Sequence, residues 1–203
     1  MTFGPGSIPP SYLRIVAIAG GGFGLLVTPL VMATWLAESD AYLIAGRLFF
    51  PAYLGAMAGL YCFQGRIRSR STIWVQVAFW FTLAALGVAL VGDLGSYYSG
   101  SGNGATVGFS PLQSIFYGAV EFPAVIAAQV GMTAYGLALR RSGAVGARAA
   151  WAVTAVGPLG LLLWPLHIPS GPMFVINLFT VTSSLAQTGF VAGAAPRPGA
   201  PVP

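Results

Sequence analysis

Six hydrophobic segments, each long enough to cross a lipid bilayer, dominate this 203-residue chain. A transmembrane helix needs about 20 mostly apolar residues, and such segments lie near 12–36, 42–64, 72–94, 112–139, 148–168 and 172–193. Hydrophobic residues make up 56% of the chain and charged residues only 6%, which is outside the range of water-soluble domains. The sequence therefore predicts an all-α integral membrane protein, a bundle of six transmembrane helices joined by short loops.

The ends of the chain differ from this hydrophobic middle. Residues 1–11 are predicted to be an N-terminal cytoplasmic segment, residues 12–193 the transmembrane domain, and residues 194–203 a disordered tail rich in proline and glycine. The N-terminal segment lacks the basic stretch and cleavage site of a secretory signal, so no cleavage is expected.

The arginines predict the orientation, because cytoplasmic loops of membrane proteins accumulate basic residues. Eight of the nine arginines would lie on one side of a six-span bundle: Arg14, Arg66, Arg68, Arg70, Arg140, Arg141, Arg148 and Arg197. We therefore expect a multi-pass protein of the plasma membrane with both termini in the cytoplasm. The lipid bilayer is its first partner, and the short basic loops do not indicate nucleic-acid binding.

Composition excludes several kinds of chemistry. The chain has no lysine, which excludes a retinal or pyridoxal Schiff base and a Walker-type phosphate lysine. Cys62 is the only cysteine and His167 the only histidine, so one chain cannot form a disulfide or a bis-histidine haem site. The sequence predicts no metal site and identifies no cofactor.

Two other features concern packing. The pairs Gly20/Gly24 and Gly55/Gly59 place small residues four apart, a spacing that lets helices approach closely. We expect these interfaces to lie within one chain, with contact to a second copy as the alternative. The loop at 95–111 is either a polar tether or a lid that carries Tyr97 and Tyr98.

Ionisable residues inside the predicted spans are the main functional candidates, because a charge in hydrocarbon must be paired or hydrated. Arg47 lies about six residues into the second span and Glu121 at a similar depth in the fourth, with Asp93 at the end of the third. The spacing predicts a salt bridge from Arg47 to Glu121 or Asp93. That network is either structural or part of a ligand site, and Arg47 alone could reach the lipid headgroups.

Three more residues complete the candidate ligand site in the outer half of the bundle. Tyr117 precedes Glu121 by four residues, so the two share a helical stripe with Gln113. Asn177 lies early in the sixth span, where an interhelical hydrogen bond is the alternative role. His167 stands between two prolines, where it is either a ligand contact or an interfacial residue.

The first functional hypothesis is a membrane protein that binds a small lipophilic or amphipathic molecule in its outer half, or that serves as an accessory subunit of a larger membrane complex. A membrane-protein partner or a homo-oligomer fits the second form. The layout of six spans with cytoplasmic termini is similar to that of the vitamin-uptake substrate-binding subunits of energy-coupling transporters.

The alternative is a membrane-embedded enzyme whose carboxylic acid protonates an isoprenoid or lipid, similar to small membrane-bound terpene cyclases. Glu121 and Asp93 would be its catalytic residues. The tryptophan–glutamate signature of those enzymes is absent, since Glu121 stands in GAVEFPAV. A neighbouring Arg47 would also keep the carboxylate ionised and therefore a poor acid.

Overall fold

The computed structural model describes residues 11–37, 44, 46–99, 111–163 and 171–187, and the regular structure in these ranges is helical throughout. Six main helices occur there, as the hydrophobic segments predict. They are α1 (Ser11–Leu36), α2 (Phe50–Ile67), α3 (Ile73–Ser99), α4 (Pro111–Ile115, Phe116–Glu121 and Phe122–Ser142 in succession), α5 (Ala147–Leu163) and α6 (Gly171–Gln187). The all-α class is confirmed.

Three of the helices are long and apolar enough to cross a membrane: Tyr12–Thr34 in α1, Ile73–Tyr98 in α3 and Phe116–Ser142 in α4. The helices α2, α5 and α6 are shorter, with 18, 17 and 17 residues. At a rise of 1.5 Å per residue, each of these three covers about 25–27 Å, slightly less than the hydrocarbon core of a typical bilayer. Six membrane crossings therefore stay a prediction, and so does the side on which the termini lie.

Helices adjacent in the chain pack side by side, and α6 closes the bundle by packing on α1 and α2. Glycines allow the closest approaches. A Cβ atom at Gly20 would lie 2.8 Å from Gly55 Cα, and one at Gly59 would collide with the side chain of Thr180. The prediction that these glycines mark helix interfaces within one chain is confirmed.

The helix α4 is not a regular α-helix. Residues Phe116–Glu121 form a π-helix, in which the N–H of Phe122 donates to the carbonyl of Tyr117 five residues earlier. Pro123 follows directly and has no N–H to donate, so the hydrogen-bond ladder is also interrupted there. The predicted stripe through Gln113, Tyr117 and Glu121 assumed a regular α-helix and stays a prediction, and Tyr117 does lie within electrostatic reach of Glu121. Short π-helical segments inside α-helices occur frequently at functional sites.

Two helix boundaries differ from the predicted spans. The helix α2 begins at Phe50 rather than near residue 42, with Pro51 in its first turn, where a missing N–H is tolerated. Arg47 therefore precedes α2, separated from it by a turn at Leu48 and Phe49. The helix α3 continues to Ser99, so the tyrosines assigned to the loop at 95–111 are helical. Residues 1–10 and 188–203, including the predicted tail, lie outside the described residues.

Candidate functional site

The two carboxyl groups predicted to act together are neighbours across the contact between α3 and α4. Asp93 is on the last third of α3, and Glu121 ends the π-helical segment of α4. The preceding residue, Gly92, makes the approach possible, because a Cβ atom there would lie 2.5 Å from the backbone nitrogen of Glu121 and 2.6 Å from its Cα. Any side chain at position 92 would push the helices apart. Glycine and the π-helical turn thus bring the two acids together.

In this carboxyl pair Asp93 is buried and Glu121 is partly buried, and both are incompletely hydrogen-bonded. Asp93 is 3% exposed, and its Oδ2 atom is inaccessible and has no hydrogen-bond partner. The Oε2 atom of Glu121 is also inaccessible and without a hydrogen-bond partner. Tyr53 of α2, which is 1% exposed, lies within electrostatic reach of both carboxyl groups, and Tyr117 lies within reach of Glu121. The pair therefore has one tyrosine of α2 and one of α4 within electrostatic reach.

Arg47 does not belong to this pair, so the predicted salt bridge to Glu121 or Asp93 is wrong. In the described part of the chain, no arginine nitrogen lies within 4.0 Å of a carboxylate oxygen. The Nε–H of Arg47 donates to the backbone carbonyl of Tyr97 at 3.3 Å, and the guanidinium carbon lies 4.6 Å from the centre of the Tyr98 ring. Because α2 begins after Arg47, this residue is nearer the end of the bundle than the hydropathy pattern indicates.

Arg47 instead lines an apolar groove of about 730 Å³ between α1, the start of α2 and the end of α3. The other lining residues are Phe23, Leu48, Phe50, Pro51, Leu94, Gly95 and Tyr98. The groove thus has hydrophobic and aromatic walls and one cationic group. A second apolar groove, of about 750 Å³, lies between the start of α3 and the end of α4 and also contains one arginine, Arg141.

Asn177 contacts neither the carboxyl pair nor the Arg47 groove directly. It is fully buried in α6, and its amide faces α1, where a Cβ atom at Gly24 would lie 2.5 Å from Asn177 Nδ2. Neither its Oδ1 nor its Nδ2 has a hydrogen-bond partner, and the same holds for the hydroxyls of Thr180 and Ser184 on α6. His167 and the side chain of Gln113 lie outside the described residues.

Sequence reasoning did not identify Tyr53 or Gly92 as site residues. Tyr53 lies in the strongly apolar run FPAYLGAMAG, which indicates only a buried helix. Gly92 directly precedes Asp93, and a glycine beside an intramembrane carboxylate was a usable signal of close backbone approach. A third residue, Tyr135 of α4, is buried and donates a 2.6 Å hydrogen bond to Gln64 Oε1 of α2.

Comparison of the chain with known protein families, with curated proteins and with solved structures gives no match. Its own features define the class: a helical protein in which three helices are long and apolar enough to span a membrane.

Proposed function

We propose that the protein binds a small amphipathic molecule with an anionic head in the groove that contains Arg47. The observation that carries this proposal is the combination of hydrophobic walls with a guanidinium that has no carboxylate of the described residues within salt-bridge distance. A hydrocarbon chain fits the walls formed by residues such as Phe23 and Leu94. A carboxylate or phosphate head would accept charge-assisted hydrogen bonds from Arg47.

The held position of Arg47 supports this proposal. Its Nε–H is bound by the Tyr97 carbonyl, and its face lies over the Tyr98 ring. An arginine fixed in this way loses less side-chain freedom when it binds an anion than a mobile arginine does. The guanidinium fork also suits the two oxygens of a carboxylate or phosphate.

The proposed setting is a plasma membrane, with six crossings and both termini in the cytoplasm. The segregation of eight arginines in the sequence supports this orientation. In that orientation the Arg47 groove opens at the outer end of the bundle, at the level of the lipid headgroups. The proposal includes an accessory role, in which the protein is a subunit of a larger membrane complex and a membrane-protein partner packs against the face that contains the groove.

The enzyme hypothesis has one observation in its favour. The separation of Arg47 from Glu121 removes the cation that would have kept this carboxylate ionised. However, neither Asp93 nor Glu121 lines either of the two grooves described above. We therefore place ligand binding first and acid catalysis on an isoprenoid or lipid second.

The test is binding of a long-chain fatty acid and of its uncharged methyl ester to the purified protein. We expect Arg47→Ala to weaken fatty-acid binding at least about tenfold, the loss expected for one charge-assisted hydrogen bond. Arg47→Lys keeps the charge and should retain part of the affinity. Binding of the methyl ester should change little in either variant.

Arg141→Ala is the matched control, because Arg141 is the single arginine of the second groove. Equal affinity of the wild type and Arg47→Ala for the fatty acid would refute the proposal. Native mass spectrometry of the wild type adds a second readout. A bound lipid lost in Arg47→Ala supports the binding role, whereas a stoichiometric protein partner supports the accessory role.

A further inference from the structure

The buried pair formed by Asp93 and Glu121 has a deficit that no described side chain corrects. Two carboxyl groups meet across the α3–α4 contact, and each has one inaccessible oxygen without a hydrogen-bond partner. A buried polar atom of this kind is costly, and a buried carboxylate is costlier unless a cation or proton accompanies it. The nearest arginine in this part of the bundle is already bound to Tyr97 and Tyr98.

We propose that Asp93 and Glu121 form an exchangeable binding site for a small monovalent cation, either a sodium ion or a proton. Both ions bind to the same kind of group, a carboxylate oxygen without another partner. This site is distinct from the groove that contains Arg47, because neither acid lines that groove. The proposal therefore stands or falls independently of ligand binding at Arg47.

The surroundings of the pair fit a small, hard cation. Tyr53 of α2 brings a third helix to the site and is 1% exposed, and its neighbours include both carboxyl groups and Tyr97. Carboxylate and hydroxyl oxygens are typical ligands of hard cations. Within the described residues there is no group of three or more acidic, histidine or cysteine side chains, the set that a multivalent metal ion favours.

The position of the pair also relates it to the proposed ligand groove. Asp93 is one helical turn, about 6 Å along the axis, from Tyr97, whose carbonyl holds Arg47. The turn of α3 that binds Arg47 through the Tyr97 carbonyl thus follows directly on the turn that carries Asp93. Ionisable residues inside membrane helices typically mark ion or proton pathways. In this arrangement the acid pair would bind the cation and Arg47 the anionic head of the ligand.

The experiment uses the purified full-length protein and sodium chloride as the probe. The thermal midpoint Tm is measured while sodium replaces N-methylglucamine at constant ionic strength, from about 1 mM to about 100 mM, because a ligand of the folded state raises Tm with its concentration. Infrared difference spectra between about pH 5 and about pH 8 report whether a buried carboxyl group gains or loses a proton. The variants Asp93→Asn and Glu121→Gln assign either signal to the pair.

Glu38→Gln is the matched control, because it removes one carboxylate at a different place in the sequence. A rise in Tm with sodium that disappears in Glu121→Gln supports the sodium form of the site. A carboxyl band that changes with pH and disappears in Glu121→Gln, without a sodium effect, supports the proton form. If the wild type shows neither response, or if Glu38→Gln removes the response as well, the proposal is overturned.

Discussion

Two buried polar sites along α4 differ in how well their groups are partnered. Near the end of α4, the hydroxyl of Tyr135 donates a 2.6 Å hydrogen bond to Gln64, and both residues are buried. Near its beginning, Glu121 meets Asp93, and each carboxyl group has an oxygen without a partner. Both sites join α4 to a neighbouring helix, yet only the first is complete on its own.

The two sites differ in what they contribute to the stability of the bundle. The neutral hydroxyl of Tyr135 and the amide of Gln64 satisfy each other with one hydrogen bond, which joins α2 to α4. Two buried acids without a cation do not stabilise a bundle by themselves. The incomplete site also coincides with the π-helical segment, whereas Tyr135 lies in regular α-helix. The Asp93–Glu121 site is therefore the one for which we propose a function, whereas the Tyr135–Gln64 pair completes its own hydrogen bond.

The largest expected effect comes from Gly92→Val, which should separate the two carboxyl groups. The new side chain meets the backbone of Glu121, which cannot rotate away, so we expect a loss of about 3 kcal/mol in unfolding free energy. Unfolding titrations in mixed micelles measure this loss. Gly118→Ala is the control, because a Cβ atom at Gly118 has no neighbour within 4 Å and should change stability by less than about 0.5 kcal/mol. Similar losses in both variants would contradict the close α3–α4 contact.

A smaller effect is expected at the partnered site. Tyr135→Phe removes the hydroxyl without creating a cavity, and we expect a loss of about 1 kcal/mol, within the range for interhelical hydrogen bonds in membranes. Adding Gln64→Met should cost less than the sum of the single losses, because the two groups share one hydrogen bond. A double-mutant cycle of unfolding free energies measures this coupling. Strictly additive losses would show that the hydrogen bond contributes nothing to stability.

The smallest effect is the coupling between Arg47 and Glu121. Because no salt bridge joins them, the losses caused by Arg47→Gln and Glu121→Gln should add within about 0.5 kcal/mol. The same unfolding assay applies, with the Tyr135–Gln64 cycle as the positive control. A coupling energy well above that value would show that Arg47 and Glu121 do form an ion pair. Glu121 would then be partnered, which would contradict the difference between the two sites.

The helices and their interfaces were accessible from the sequence. Long apolar runs predicted six helices close to their observed bounds in the described residues, apart from the start of α2 and the end of α3. The spacing of Gly20, Gly24, Gly55 and Gly59 predicted close helix contacts, which the bundle contains. Asp93 and Glu121 were also predicted to share the outer half of the bundle, because Asp93 lies near the end of the third span and Glu121 near the beginning of the fourth. These features depend on one helix at a time, where hydropathy and residue size are sufficient.

The partners of the charged residues depended on the tertiary structure. Hydropathy measures depth along a helix, but it does not determine where α2 begins or how α3 and α4 rotate about their axes. The turn at Leu48 and Phe49 separates Arg47 from α2, and the π-helical segment of α4 ends at Glu121. The sequence by itself thus determined an apolar helical bundle with buried acids. Only the packing of α3 against α4 decided that those acids are neighbours without the arginine, because a shift of a few residues in the start of a helix changes which groups a charged side chain can reach.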